Sequence, residues 1–377
     1  MFSNTAVASA SRGLNLWLNV VFPSLFPFFV ASEILYRTGF IKSLGILLEP
    51  IMRPLFNVPG CGSFALAMGI TSGYPVGAKL TAKMREEKLL TKTESERLLS
   101  FTNNSGPLFI IGAVAVGMFN NPKIGFVLLF CHILACITVG IFFRFYGSRK
   151  TRVKNSDSSN TLKKFKKELA NTESVNIGEI LGDSIRSSIN TILAIGGFII
   201  LFSVIINLLL ETGIINTAAA FFSLLFPIES ISREIISSIL SGFFEITTGI
   251  NMISKLEEIS FTQQLSAISL VLGWAGLSVH FQVYSIISKT DISIKPYLFG
   301  KLMHGFFSAL YVWIFMKLSI IPDLESQSVF GYFTYTSDWT CLNYFIKSIK
   351  NVLISLAVLI LLAGISFLVK KFNRLKV

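Results

Sequence analysis

The chain has 377 residues and a net charge of +12, yet only 14% of its side chains are charged, while 52% are hydrophobic and 35 are Phe. Soluble domains carry about a quarter charged residues. A mean hydropathy of +0.66 and several apolar runs near or beyond the roughly 18 residues of a membrane span exclude a soluble protein and define a polytopic one embedded in a lipid bilayer.

The positive excess lies largely in loops between spans and at the C-terminus, where it reads as an orientation signal. No nucleic-acid partner is expected. Cys61, Cys131, Cys136 and Cys341 show no paired ligand spacing, so they read as inert thiols; no metal and no cofactor is expected.

In chain order, Leu14 to Tyr36 predicts a first span bent by Pro23 and Pro27. Its length and the lack of basic residues beyond Arg12 read as a retained span rather than a cleaved leader. Gly39 to Val58, interrupted by Lys42, Glu49, Pro50, Arg53 and Pro54, suits an interfacial helix. Ser63 to Met84 contains GITSGYPVGAK, Gly69 to Lys79, an apolar run broken by small and hydroxyl residues. We read it as a re-entrant helical hairpin, since freed backbone at membrane depth must be satisfied by protein or by a watery cavity. A charged connector, Arg85 to Arg97, ends in Thr91-Lys92-Thr93-Glu94, which resembles a capping box. The next helix carries FTNNSGP, Phe101 to Pro107, and should unwind just before Pro107. Ile124 to Phe145 is a cleaner span.

Arg144 to Arg186 is basic and polar and reads as a linker between halves. The plan then repeats. A span covers Ile189 to Leu210 and a shorter apolar stretch Thr212 to Pro227. Ile235 to Ser254 holds a second broken hairpin around GFFEITTGIN, Gly242 to Asn251. Phe261 to Ile287 is interrupted by GWAGLSVHFQ, Gly273 to Gln282, and Tyr297 to Met316 is another span. An acidic, aromatic loop precedes a last span, Val352 to Leu368, and a basic tail.

The predicted fold is therefore all-α and polytopic. Two inverted repeats each carry a re-entrant helical hairpin and a broken transmembrane helix, and a final C-terminal span follows. By residue range the organisation is 10–146 for the first repeat, 147–187 for the linker, 188–318 for the second repeat, 319–349 for an external loop and 350–377 for the last span and tail. Charge supports the inversion. With the basic linker and tail cytoplasmic, the loops holding Arg37 to Arg53, Arg85 to Arg97 and Lys289 to Lys295 fall inside. The N-terminus, residues 119–123, Glu211, Lys255 to Ser260 and the acidic loop fall outside.

A matched pair of interrupted segments in two halves of a chain marks a transporter's substrate site, where half-helix N-termini attract anions. The candidate substrate-binding residues are Thr71, Ser72, Gly73, Tyr74, Asn103, Asn104 and Ser105 from the first half, with Lys79 nearby. From the second half they are Thr247, Thr248, Gly249, Asn251, Ser278 and Gln282. Glu245 and His280 are candidates for ion or proton coupling, and Tyr74 or Trp274 could stack on a planar solute.

Each has a plainer reading. Membrane Thr and Ser often bond only their own i−4 carbonyl, Lys79 can snorkel to the surface, and Glu245 can sit neutral near the interface. His132 and His304 read as packing residues on their spans. No His-Glu-x-x-His, G-x-S-x-G or phosphate-binding glycine loop is present, so an enzyme is not expected.

GITSGYPVGAK, FTNNSGP, GFFEITTG and the GWAGLSVHFQ helix together resemble the sporulation integral membrane protein family called YlbJ or SpoVV, over roughly residues 10–370. That family belongs to the nucleoside-recognition "gate" group, similar to concentrative nucleoside transporters. The resemblance implies a transporter of dipicolinic acid in endospore-forming bacteria. It would sit in the outer forespore membrane and move dipicolinate, a small planar dianion, from the mother cell towards the forespore. It also implies that the hairpins and broken helices bind substrate, with a proton or sodium as coupling ion. Related transporters are trimeric, so a homo-oligomer is implied as well. The carboxylate and glutamine pattern that nucleoside transporters carry in the first hairpin is replaced here by TSGYP. Transport of a nucleoside or another small solute, and a sporulation scaffold that moves nothing, remain as alternatives.

Overall fold

Pro23 and Pro27 should bend the first span, and in the computed structural model, which describes residues 2–38, 40–147, 177–225 and 232–318, the α-helical hydrogen bonding is interrupted just before Pro23. Helix α1 (Ser3–Leu16) passes through a wide π-helical stretch, Trp17–Val21, into α2 (Phe22–Arg37). Phe22 N–H donates to the Trp17 carbonyl, an i→i−5 bond that widens the turn just before the ring of Pro23 must be accommodated. Helix α3 (Phe40–Phe56) follows, then α4 (Gly62–Ser72) and α5 (Val76–Glu86). Next are α6 (Lys92–Thr102), a π-helical segment at Leu108–Val116, and α7 (Pro122–Phe143).

After the linker come α8 (Ile177–Glu211), α9 (Ile214–Leu225), α10 (Arg233–Phe244) and α11 (Ile246–Ser254). Helices α12 (Phe261–Trp274), α13 (Gly276–Ile287) and α14 (Ile294–Lys317) complete the described chain. The predicted first span is divided between α1, the π-helical stretch and α2, and it is not one of the described stretches long and apolar enough to cross a membrane. Most of the linker, the acidic loop and the last predicted span lie outside the described residues.

Among the described residues, four helical stretches are long and apolar enough to cross a membrane: Pro122–Phe143, Gly178–Glu211, Phe261–Ile287 and Ile294–Lys317. Their outer faces leave Phe126, Phe130, Leu193, Leu201, Phe306 and Trp313 exposed, an apolar surface that suits lipid. Helices α4, α5 and α6 have 11 residues each, about 16 Å at 1.5 Å per residue. That is roughly half of the ~30 Å hydrocarbon core. Helix α8 begins twelve residues earlier than the predicted span, because Ile180, Leu181 and Ile185 continue its apolar pattern through the linker's end.

The capping box forms as expected. Thr91 Oγ1 accepts from Glu94 N at 3.3 Å while Thr91 N donates to Glu94 Oε2 at 2.9 Å.

The loops sort onto two ends. At one, Arg53 meets Glu94 at 2.5 Å, Arg85 grips both oxygens of Asp291 at 2.8 and 2.9 Å, and Ser293 N donates to Glu96 at 3.1 Å. Arg97, fully buried, donates to the carbonyls of Asn57 and Tyr146, and Arg37 pairs with Asp183 at 2.9 Å. The Arg85 guanidinium holds the Asp291 carboxyl below the ordinary aspartate range. At the opposite ends of these helices, Phe119 packs edge-on to Phe261 at 6.2 Å, and Arg12 reaches Asn207 at 3.1 Å. The three charged loops expected on one side are therefore joined to one another.

Candidate functional site

Pro107 has no N–H and its ring crowds the carbonyl four residues before it, which is that of Asn103. The helix accordingly stops at Thr102, Asn103 is extended, and the chain is non-helical through Gly106. The orphaned Asn103 carbonyl accepts instead from Lys301 Nζ at 3.0 Å, on a helix of the other half. Ser105 N–H donates to His132 Nε2 at 3.2 Å. The Phe101 carbonyl takes Asn104 Nδ2 at 2.9 Å and Cys136 Sγ at 3.0 Å. Buried backbone groups need partners, and here side chains from α7 and α14 supply them.

The first hairpin sits on this break. Gly73 has φ +84°, and a Cβ there would come within 2.8 Å of Gly106 N. Gly69 and Gly77, four residues to either side, close the hairpin and both lie against the Thr102 carbonyl. Tyr74 OH accepts from Ser105 Oγ at 3.0 Å.

The second half repeats the seating with different chemistry. Glu245 caps α11 with both oxygens, taking Thr247 N at 3.0 Å and Thr248 N at 2.7 Å. Gly249 packs against Gly242 and closes this hairpin. The second helix break carries Ala275 at φ +78° and Gly276 at φ +81°. A Cβ on Gly276 would lie 3.2 Å from Gly242 O and 3.3 Å from Ile246 N, so this hairpin too rests on its broken helix. Trp274 donates to Phe243 O at 3.2 Å and stacks on the Phe243 ring, while His280 meets Trp274 edge-on at 4.3 Å.

Tyr297 joins the two breaks. Its hydroxyl accepts from Asn103 Nδ2 at 3.1 Å and pairs with His280 Nδ1 at 3.1 Å. Tyr74 packs against the apolar clusters that hold Ile246 and Ala275.

Of the residues expected from sequence, Gly73, Tyr74, Asn103, Asn104, Ser105 and His280 are brought together. Ser72, Ser278 and Gln282 are buried beside them on α4 and α13. Four of these carry buried polar atoms without a partner: Ser72 Oγ, Asn103 Oδ1, Asn104 Oδ1 and His280 Nε2. Each such atom costs about 1–3 kcal/mol unless something satisfies it.

Thr71 takes the plainer reading, and the other positions make contacts of their own. Thr71 is exposed and bonds its own Ala67 carbonyl at 2.9 Å. Asn251 is exposed, and Thr247 and Thr248 commit their backbone amides to Glu245. Lys79 turns to Ser187 at 3.2 Å and Glu33 at 3.5 Å. The amide-rich N-terminus expected to attract an anion is, on α11, already occupied by the chain's own carboxylate.

His132 and His304 do more than pack. Their rings lie 4.3 Å apart, and His304 pairs with Lys301 at 3.2 Å and with the His132 carbonyl at 3.0 Å. Sequence reasoning missed Tyr297 and Lys301 altogether. The signal was periodic: Tyr297, Lys301, His304 and Ser308 recur at i, i+4, i+7 and i+11, a polar stripe along a membrane helix. All four are buried.

The fold and this buried polar junction define an integral membrane protein built of helices broken in pairs. A family model described as Gate, nucleoside recognition, matches residues 18–149. The sporulation integral membrane protein YlbJ of Bacillus subtilis (strain 168) is 41% identical over 315 residues, covering 82% of this chain and 77% of that protein. The chain belongs to the YlbJ family of sporulation integral membrane proteins. A solved structure of a doubly substituted CNTnw in an outward-facing state aligns with a TM-score of 0.46 at 16% identity, covering 84% of this chain and 85% of that one.

Proposed function

We propose that the protein is a secondary transporter of a small organic anion, and that the anion is dipicolinic acid moved from the mother cell towards the forespore across the outer forespore membrane. The observation that carries this reading is the seating of two hairpins on two broken helices, with Ser72 Oγ and His280 Nε2, both able to donate to an anion, buried there without partners; the unpartnered Asn103 and Asn104 oxygens accept only. A folded chain satisfies nearly all such atoms, and a group of them at one junction suits a ligand. Tyr74 lies at this junction, whereas the Trp274 ring expected to stack on a planar solute is already stacked on Phe243. The end contacts support inverted repeats: α7 runs towards the charged end and α14, its counterpart, away from it. In this reading the charged end is cytoplasmic and the N-terminus external, the protein is no enzyme, and a proton or sodium gradient drives flux. His280 keeps a free nitrogen for coupling, whereas both Glu245 oxygens are engaged.

Uptake of labelled dipicolinate into proteoliposomes, under a pH gradient and then a sodium gradient, tests the proposal. Saturable uptake that is lost in Asn104→Ala, with the variant's fold and level intact, is the expected result. No uptake from folded protein under either gradient would sink it and favour a nucleoside or other solute, or a scaffold. Uptake unaffected by Asn104→Ala would move the site elsewhere.

A further inference from the structure

The unpartnered buried atoms where the hairpins rest on the breaks are of two kinds. Asn104 gives its amide hydrogens to the Phe101 carbonyl at 2.9 Å and to Cys136 Sγ at 3.3 Å, so the atom it leaves over is Oδ1. Asn103 gives its amide to Tyr297 OH at 3.1 Å and likewise leaves Oδ1. Both oxygens only accept.

The same hydroxyl settles the histidine. Tyr297 OH receives from Asn103 and has one proton of its own, which goes to His280 Nδ1 at 3.1 Å. The hydrogen of a neutral imidazole is then on Nε2, and that nitrogen is a donor without an acceptor. Asn103 and His280 thus flank one hydroxyl, the first with a free acceptor and the second with a free donor. Ser72 Oγ, on the residue that lies against Gly106, can give or take.

An occupant that satisfies all of these atoms must both accept and donate. A fully ionised carboxylate has no hydrogen to give. It suits His280 and Ser72, but it sets negative oxygens against those of Asn103 and Asn104 and leaves buried acceptors unpaired.

We propose that the junction binds its solute as an acid that still holds one proton. A planar dicarboxylate is taken as its monoanion: the ionised group accepts from His280 Nε2 and Ser72 Oγ, and the protonated group donates to an asparagine oxygen. The proton comes from water on the entry side and returns to water on the exit side, so one proton crosses with each solute. The inference rests on the transport reading above and names the form in which the solute is recognised.

The test is equilibrium binding to the purified full-length protein with three pyridines of closely similar shape. They are pyridine-2,6-dicarboxylate, 6-carbamoylpyridine-2-carboxylate and 6-acetylpyridine-2-carboxylate. At neutral pH the first is a dianion without a donor. The other two are monoanions, the carbamoyl compound with N–H donors and the acetyl compound with none. The carbamoyl compound should bind about tenfold tighter than the acetyl compound. As the pH falls towards the dicarboxylate's own last ionisation, its affinity should rise by about tenfold per pH unit relative to the acetyl compound. That reference is needed because titratable groups face these atoms from every side: Tyr74 on the first hairpin, His132 and Cys136 on α7, Glu245 at the start of α11, and Tyr297, Lys301 and His304 on α14. Asn103→Leu and Asn104→Leu ask which oxygen takes the hydrogen, and one of them should bring the carbamoyl and acetyl compounds to equal affinity. Should neither variant fold, the wild type decides. Carbamoyl and acetyl compounds bound alike, a dicarboxylate affinity that follows the acetyl compound at every pH, or a gap unchanged in both folded variants overturns the proposal and leaves the transport reading standing. Folded wild type that binds none of the three at any pH overturns both.

Discussion

The first helix break and the second hairpin solve one problem in opposite ways. At Asn103 to Gly106 the freed backbone is met by side chains far along the chain, Lys301 and His132. At the second hairpin Glu245 meets the amides two and three residues ahead of it. The first break is held by tertiary structure and the second hairpin by its own sequence. The first break also carries the Asn103 and Asn104 oxygens that lack partners. A site that must change partners during a cycle is better built from contacts across helices, which relative motion can make and break, than from a cap that travels with its own helix.

The comparison can be broken in several places. The largest effect should come from closing space in the first hairpin. Gly77→Val sets a side chain against the Thr102 backbone and should destabilise the protein by about 3 kcal/mol, seen as a lowered midpoint of thermal unfolding in detergent. An unchanged midpoint would mean that the hairpin does not rest on the break.

Next, His132→Phe leaves the Ser105 N–H buried without an acceptor and should cost about 1–3 kcal/mol. Glu245→Ala removes a local cap and should cost about 1 kcal/mol. If Glu245→Ala proves the more damaging of the two, the distinction between long-range and local support fails.

The smallest effect belongs to the Arg85–Asp291 pair, which is largely open to solvent and worth a few tenths of a kcal/mol. The folded-state carboxyl of Asp291 titrates below its ordinary range, so this stabilisation is present above that range and fades as the pH falls through the depressed value. Asp291→Asn should flatten that acid dependence slightly and leave neutral-pH stability nearly unchanged. A large loss at neutral pH would give the pair a role beyond the surface.

Much of this was legible in sequence, because the signals are local. Pro107 determines that the helix stops before it, Thr91 and Glu94 determine where α6 starts, and Gly73 and Gly276 mark the turns where a left-handed backbone is needed. Apolar length determined four of the spans, Pro122–Phe143, Gly178–Glu211, Phe261–Ile287 and Ile294–Lys317, and basic residues determined which loops share an end. Asn103, Asn104 and Tyr74 stood out because polar residues at membrane depth need a reason.

Tertiary structure alone decided the rest. Thr71 and Asn251 carry the same chemistry as their buried neighbours, yet helix rotation turns them outward, and a motif does not encode that rotation. Glu245 reads in sequence as a candidate coupling carboxylate, and only its distances show that both oxygens cap α11. Lys301 and His304 belong to the site only because α14 lies across a break made by a proline nearly two hundred residues earlier. A carbonyl orphaned by Pro107 can be predicted from the sequence, but the donor that answers it is chosen by packing.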